Sequence, residues 1–297
     1  MTTANTQPPL ATILTIAGSD SSAGAGIQAD LKTIHALGGY ALTAITTITA
    51  QNSQGVQQVF PVSAQQLQAQ LNAIQTDYQI DAIKIGMLAN KELIKVVVAF
   101  LQKHKGVPVV LDPIIQSSSG KALLNEDATT YLLQQLMPLS RLMTPNLPEL
   151  NRLLSCQFLG RSEELCEILA QLKANHWPNT LVKGGHSAEA LSTDYLLLTQ
   201  TEYGVKEELY AFPATRINTQ NSHGTGCTLS SAIATQLAFK RSLPEAVKLA
   251  KNYLQNALAT ADYAQPSYQQ AVNLKKARHG GLNHFGQKAV NIFDEEE

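Results

Sequence analysis

Short apolar runs rich in β-branched residues alternate along the chain with stretches of helical periodicity. TILTIAG at positions 12–18 predicts a buried strand, and IQADLKTIHAL after it predicts an amphipathic helix with Ile27, Leu31, Ile34 and Leu37 on its apolar face. ALTAITTITA predicts a second strand, and SAQQLQAQLNAIQTD a helix opened by Ser63 as N-cap. AIKIGM, VPVVLDP, RLMTPN and TLVKGG predict four more strands. Helices over NKELIKVVVAFLQKHK, NEDATTYLLQQLM and SEELCEILAQLKAN fall among them. DYLLLT and GVKEELYAF predict an antiparallel pair near a sheet edge, and helices from Gly224 and Leu243 close the series. Strands alternating with helices in this way imply an α/β fold with a mostly parallel sheet covered on both faces. No internal repeat or linker interrupts the pattern, so one unit over residues 10–286 is expected, with loose arms at 1–9 and 287–297.

The bulk numbers narrow the class without changing that picture. With 297 residues, 44% hydrophobic and 15% charged, the chain has the composition and length to bury a large core. A net charge of -1 and no long basic run argue against nucleic acid or an acidic membrane surface as the main partner. No apolar run has the length of a membrane span or the layout of a signal peptide. The three cysteines, Cys156, Cys166 and Cys227, are odd in number and match no zinc spacing, so the expected compartment is the cytoplasm.

In a parallel sheet, ligands bind beyond the carboxyl ends of the strands, and the unusual residues cluster there. The first loop, GSDSSAGAGIQAD, contains Gly24-x-Gly26-x-x-Ala29, which fits a dinucleotide fingerprint. That reading wants an acidic residue about 20 positions on, and none occurs between Asp30 and Asp77. No ordinary P-loop occurs either. The second loop, NSHGTGCTLSSAIA, brings Gly224, Thr225 and Gly226 to a helix start that ends on Cys227. Free N–H groups and the helix dipole favour an anion such as a transferring phosphoryl group, and the same field is expected to lower the Cys227 pKa. A small buried thiol is the plainer alternative. Lys183 in LVKGGH is placed to reach a phosphate, or to be a surface lysine. Asp112 and Glu149 are able to hold Mg2+ directly or through water, or equally to serve as helix-cap or loop residues. The roles of His186 and His223, beside glycine loops, stay open.

TIAGSDSSAGAGIQADLKTIHALGGY, IKIGML, VVLDP, TPNLPE, VKGGH and HGTGCTLSSAIA occur in the order seen in the hydroxymethylpyrimidine/phosphomethylpyrimidine kinases of thiamine biosynthesis, and GLNHF resembles that family's closing motif. The resemblance spans about Thr12 to Phe285. It implies a ribokinase-like three-layer sandwich that phosphorylates an aminopyrimidine hydroxymethyl group and then the monophosphate, with ATP as co-substrate and Mg2+. It further implies Cys227 as proton acceptor, an anion hole at Gly224, Thr225 and Gly226, and Lys183 on the phosphates. Asn146 would meet the nucleotide, Asp112 and Glu149 the metal, and Asp20, Ala25, Gln51, Met87 and Ile114 the pyrimidine. An amide at Gln51 suits a ring nitrogen beside an exocyclic amine. Ser118 stands where some relatives carry a lysine. A homodimer is implied as well. A pyridoxal or pyridoxine kinase is the neighbouring alternative; a nucleotide sensor or a cysteine hydrolase using Cys227 as nucleophile would be a different class.

Overall fold

The computed structural model describes residues 10–52, 55–115, 123–186, 191–200, 205, 207–219, 221–261 and 280–285. The arms at 1–9 and 287–297, and the loop with Ser118, lie outside the described residues. In chain order the elements are β1 (Thr12–Asp20), α1 (Gly26–Ala36), β2 (Tyr40–Asn52), β3 (Gly55–Pro61), α2 (Ala64–Gln75), β4 (Ala82–Ile85), α3 (Lys91–Lys103), β5 (Val109–Leu111) and α4 (Glu126–Tyr131). They continue with β6 (Leu142–Met143), α5 (Leu147–Leu154), α6 (Leu165–Ala174), β7 (Asn179–Val182), β8 (Asp194–Leu197), β9 (Leu209–Phe212), α7 (Thr225–Ala238) and α8 (Leu243–Ala259).

The strands form one sheet in the order β3-β2-β1-β4-β5-β6-β7-β8-β9. The six from β2 to β7 in that order run parallel, and β3, β8 and β9 add antiparallel edges. Apolar runs such as Ala82–Ile85, buried at every position, are what a parallel strand covered on both faces requires. One core lies on the face carrying α2 to α6 and includes Leu67, Leu93, Val97 and Ile168; the other lies under α1, α7 and α8 and includes Ile34, Ile233 and Val247. Helices on both faces of a mostly parallel sheet make the ribokinase-like three-layer α/β sandwich. Among the described residues no helix is long and apolar enough to cross a membrane.

Ser63 caps α2 as expected, in a capping box with Gln66. Several expectations need correction. β3 and α5 were not expected: β3 is an exposed edge, and α5, although Leu147, Leu150, Leu153 and Leu154 fall at helical spacing, has only eight residues. On α1, Leu31 is 39% exposed while Asp30 is fully buried, because Lys84 reaches it from β4. The helix predicted over 125–137 is α-helical only to Tyr131 and continues as a π turn and a 3-10 turn. Of the strand predicted over 204–212, Leu209–Phe212 pairs in the sheet, and positions 204 and 206 lie outside the described residues.

Candidate active site

The chain leaves β1 toward β2 on one side and reaches β4 on the other, so the sheet's switch point lies between β1 and β4. Asp20 and Gln51 end β1 and β2, while Met87, Asp112, Asn146 and Lys183 follow β4, β5, β6 and β7. The carboxyl edge therefore gathers residues that are up to 163 positions apart.

Asp20 organises the first glycine loop. Its Oδ1 accepts from the N–H and hydroxyl of Ser22, each at 2.8 Å. Its Oδ2 accepts from Gly24 N at 3.1 Å, Ala25 N at 2.8 Å and His223 Nε2 at 2.8 Å. Burial alone would raise this carboxyl, but the bonds from His223, Ser22 and Ala25 outweigh it and hold the pKa at about 2. Ala25 is the N-cap of α1. Gln51 lies beside the same imidazole, with its Nε2 3.1 Å from His223 Nε2. Met87 stands close to Gly18 and accepts from Thr46 Oγ1 through its carbonyl. Ile114 follows Asp112, whose carbonyl accepts its N–H at 2.8 Å.

Gly224 is the N-cap of α7, with φ +85° and no side chain to cover the first-turn N–H groups. A Cβ there would overlap the Gly24 carbonyl oxygen, so only glycine permits the two loops to touch. Thr225, Gly226 and Cys227 follow in the first turn; the Thr225 N–H donates to Ser222 O at 3.4 Å, which leaves those of Gly226 and Cys227 for an anion. Gly226 faces an ion pair: a Cβ on it would lie 3.2 Å from Asp112 Oδ2 and 3.4 Å from Lys183 Nζ.

In that ion pair, Lys183 Nζ donates to Asp112 Oδ1 at 3.0 Å, and Thr144 Oγ1 donates to the same oxygen at 3.0 Å. Burial opposes the ammonium, yet Asp112 and Glu149 together raise the Lys183 pKa. Glu149 closes a capping box on α5: its Oε2 accepts from Asn146 N and its N–H donates to Asn146 Oδ1, both at 2.8 Å. Burial pushes the Glu149 carboxyl up to about 7; Asp112 adds to the rise, and Lys183 and the Asn146 N–H oppose it. Two hard oxygen donors crowded enough to repel each other suit Mg2+, which is commonly held by one or two carboxylates plus substrate phosphates. Among the described residues no group of three or more His, Cys, Asp or Glu side chains could form a complete protein cage.

The expected low pKa of Cys227 is overturned. The thiol is buried, and that burial pushes its pKa up to about 11; Asp30 and Asp112 add to the rise, while Lys84 and the Gly26 N–H oppose it. Lys84 itself was not singled out from the sequence. Its Nζ donates to both Asp30 oxygens at 2.8 and 2.9 Å with no exposure on either side chain. Asp30 also accepts from Thr15 Oγ1 and Ser231 Oγ, the latter one turn after Cys227. Burial lowers the Lys84 ammonium but Asp30 raises it further, so it stays charged. A lysine inside the apolar run AIKIG was the available signal. Cys156 and Cys166 lie apart from this edge; Cys156 donates to Asn151 Oδ1 and Cys166 is exposed.

Comparison with known proteins places the chain in a family. The phosphomethylpyrimidine kinase family profile matches residues 20–273. A hydroxymethylpyrimidine/phosphomethylpyrimidine kinase of Salmonella typhimurium is 43% identical over 249 residues, covering 84% of this chain and 91% of that protein. The phosphomethylpyrimidine kinase structure from Clostridium difficile superposes with TM-score 0.71 at 35% identity, covering 83% of this chain and 99% of that one. An ADP complex of Bacillus subtilis pyridoxal kinase gives TM-score 0.78 at 30% identity, covering 93% and 98%. With the site at the switch point and the family match across most of its length, the chain belongs to the phosphomethylpyrimidine kinase family of phosphotransferases.

Proposed function

We propose that this chain transfers the γ-phosphoryl group of ATP to the hydroxymethyl group of 4-amino-5-hydroxymethyl-2-methylpyrimidine and then to the monophosphate, giving the diphosphate for thiamine biosynthesis. The observation that carries the reading is the convergence of Lys183 and Asp112 on the start of α7, with Glu149 near enough for its charge to feel both. Phosphoryl transfer needs chiefly positioning and charge neutralisation, and this edge supplies both. The N–H groups of Gly226 and Cys227 receive the transferring group, joined by that of Thr225 if it leaves the Ser222 carbonyl, and Lys183 neutralises its oxygens. Asn146 borders the nucleotide. Asp112 and Glu149 hold Mg2+, which when bound offsets phosphate charge. Cys227 is the thiol nearest the acceptor hydroxyl, and Gln51, Met87, Ala25 and Ile114 line the ring, with Asp20 holding the loop around it. The working unit is residues 10–286, cytoplasmic and acting as a homodimer.

A pyridoxal-type substrate is the second reading, because the superposition on a pyridoxal kinase is as close as that on a pyrimidine kinase. ADP release from Mg-ATP with the pyrimidine, its monophosphate and pyridoxal decides between them. Turnover of both pyrimidines is expected, with kcat lower by about 10²–10³ in Lys183→Ala. A preference for pyridoxal would move the chain to the second reading, and no ADP with any acceptor would refute both.

A further inference from the structure

His223 has no role in the reading above, yet its Nε2 touches both the loop carboxylate and the amide placed against the ring. Two donor–acceptor counts fix how that amide sits. Asp20 is ionised and only accepts, so His223 Nε2, 2.8 Å from Asp20 Oδ2, carries a proton and donates. The Gln51 amide group 3.1 Å from the same Nε2 must then be its oxygen, sharing that one N–H with Asp20 as the longer arm of a three-centre bond, since an NH2 there would set donor against donor. The second count is at Thr49. Its hydroxyl lies 2.9 Å from the Ser19 carbonyl oxygen and 3.2 Å from the other end of the Gln51 amide. The one hydroxyl proton goes to the carbonyl, which has none to give, so the amide must offer its NH2 to Thr49 Oγ1. Both counts ask for the same half-turn of the amide, an orientation decided by hydrogen-bond partners.

The surroundings keep it there. Ser21 Oγ donates to Gln51 O at 2.7 Å and accepts from Gln51 N at 2.9 Å, which pins the backbone. The imidazole is packed so tightly on Gly24 that a Cβ there would overlap His223 Cδ2. Held between His223 and Thr49, the amide keeps one oxygen lone pair and one N–H for a ligand.

We propose that His223 and Thr49 lock the Gln51 amide in one orientation, which makes His223 a specificity-determining positioning residue for a ring carrying an amine beside a ring nitrogen. The proposal rests on the reading of Gln51 as a ring contact. An amine donates to the free lone pair while the adjacent nitrogen accepts the free N–H. A hydroxypyridine aldehyde has no amine beside a ring nitrogen; its hydroxyl and aldehyde sit on adjacent carbons, bond to each other, and present a different spacing to the amide.

Steady-state kinetics with the hydroxymethylpyrimidine and with pyridoxal test this in wild type, His223→Ala, His223→Gln, Thr49→Val, Gln51→Ala and the His223→Ala/Gln51→Ala double variant. Losing the lock should raise KM for the pyrimidine about tenfold or more in His223→Ala and leave kcat within about threefold. The pyrimidine-to-pyridoxal selectivity should fall by the same factor. His223→Gln, which keeps an N–H near the Nε2 position, should recover most of the loss, Thr49→Val should move KM the same way, and the double variant should be no worse than Gln51→Ala. A His223→Ala loss confined to kcat, or equal for both rings, would overturn the proposal, because His223 would then act through the adjacent Gly224 turn. So would a normal His223→Ala beside a defective Gln51→Ala. An unchanged KM in Gln51→Ala would overturn the reading of Gln51 itself, and this proposal with it. Thermal melts identify any variant that fails to fold; if His223→Ala does, His223→Gln and Thr49→Val carry the same comparison.

Discussion

Asp20→Asn isolates the carboxylate that ties the first glycine loop to His223. The aspartate is 3% exposed at its side chain and accepts five hydrogen bonds, three of them on Oδ2. Its pKa is about 2 against an ordinary 3.8, which stabilises the folded state by about 2 kcal/mol at roughly 1.4 kcal/mol per decade of acid constant. The sign follows from linkage: with the folded value depressed, this stability is complete above the unfolded value and is lost as pH falls through the folded one. Asparagine removes the charge and turns one acceptor oxygen into a donor. The amide would keep its oxygen at Oδ2, facing Gly24, Ala25 and His223, and turn its NH2 to Oδ1, where Ser22 Oγ can accept and only the Ser22 N–H is orphaned, at a cost of about 1 kcal/mol or more. The total expected at pH 7 is about 3 kcal/mol, measured by urea unfolding. Repeating the titration at pH 5, 4 and 3 should show the gap between wild type and variant narrowing by about 1–2 kcal/mol as Asp20 begins to protonate in the unfolded chain. A gap below about 1 kcal/mol at pH 7, or one that does not change with pH, would refute the assignment of this loop's stability to the carboxylate.

Two further outcomes follow from buried groups. Lys84→Met should cost about 3–5 kcal/mol in denaturant unfolding because it strands the buried Asp30 charge, whereas Lys84→Met with Asp30→Leu should recover much of it; a neutral single variant would contradict the ion pair. At pH 7 iodoacetamide should label the exposed Cys166 first and leave Cys227, buried with a thiol at about 11, unmodified until the chain unfolds; peptide mass spectrometry that finds Cys227 alkylated early would restore a low thiol pKa.

The sheet centre was legible because parallel strands covered on both faces are mostly apolar, and runs such as VPVVL and AIKI, the latter broken only by Lys84, fit that requirement. The antiparallel pair of β8 and β9 was legible too, as two β-rich runs close in sequence. β3 was not, since an edge strand needs neither a buried face nor alternation, and GVQQVFP shows neither. α5 was hidden by its length. Its capping box, Asn146 with Glu149, was visible as residues, but the same carboxylate was read as a metal ligand, and the structure shows only the cap directly. The apolar face of α1 failed for a non-local reason: Asp30 is buried because a lysine 54 positions later meets it, and no periodicity within the helix contains that fact.

At Cys227 a sound local rule met a stronger non-local term. Helix starts stabilise thiolates through the dipole and free N–H groups, and Gly224 and Gly226 leave those groups uncovered as the sequence implies. The fold then buries the sulfur and places Asp30 and Asp112 near enough to oppose ionisation, with Lys84 only partly offsetting them. Ionising a thiol at about 11 under neutral conditions costs about 5 kcal/mol, whereas general-base assistance is worth about 10²–10⁴ in rate, at most a similar amount. On the proposed chemistry, a free-enzyme thiolate therefore gains nothing. A loose transition state also makes little demand on the acceptor's proton before the phosphorus–oxygen bond forms, so the rate rests first on Lys183 and the α7 amides. On the same proposal the sulfur serves at the helix start as a small, neutral wall of the anion hole, where an aspartate would add a second negative charge beside Asp112.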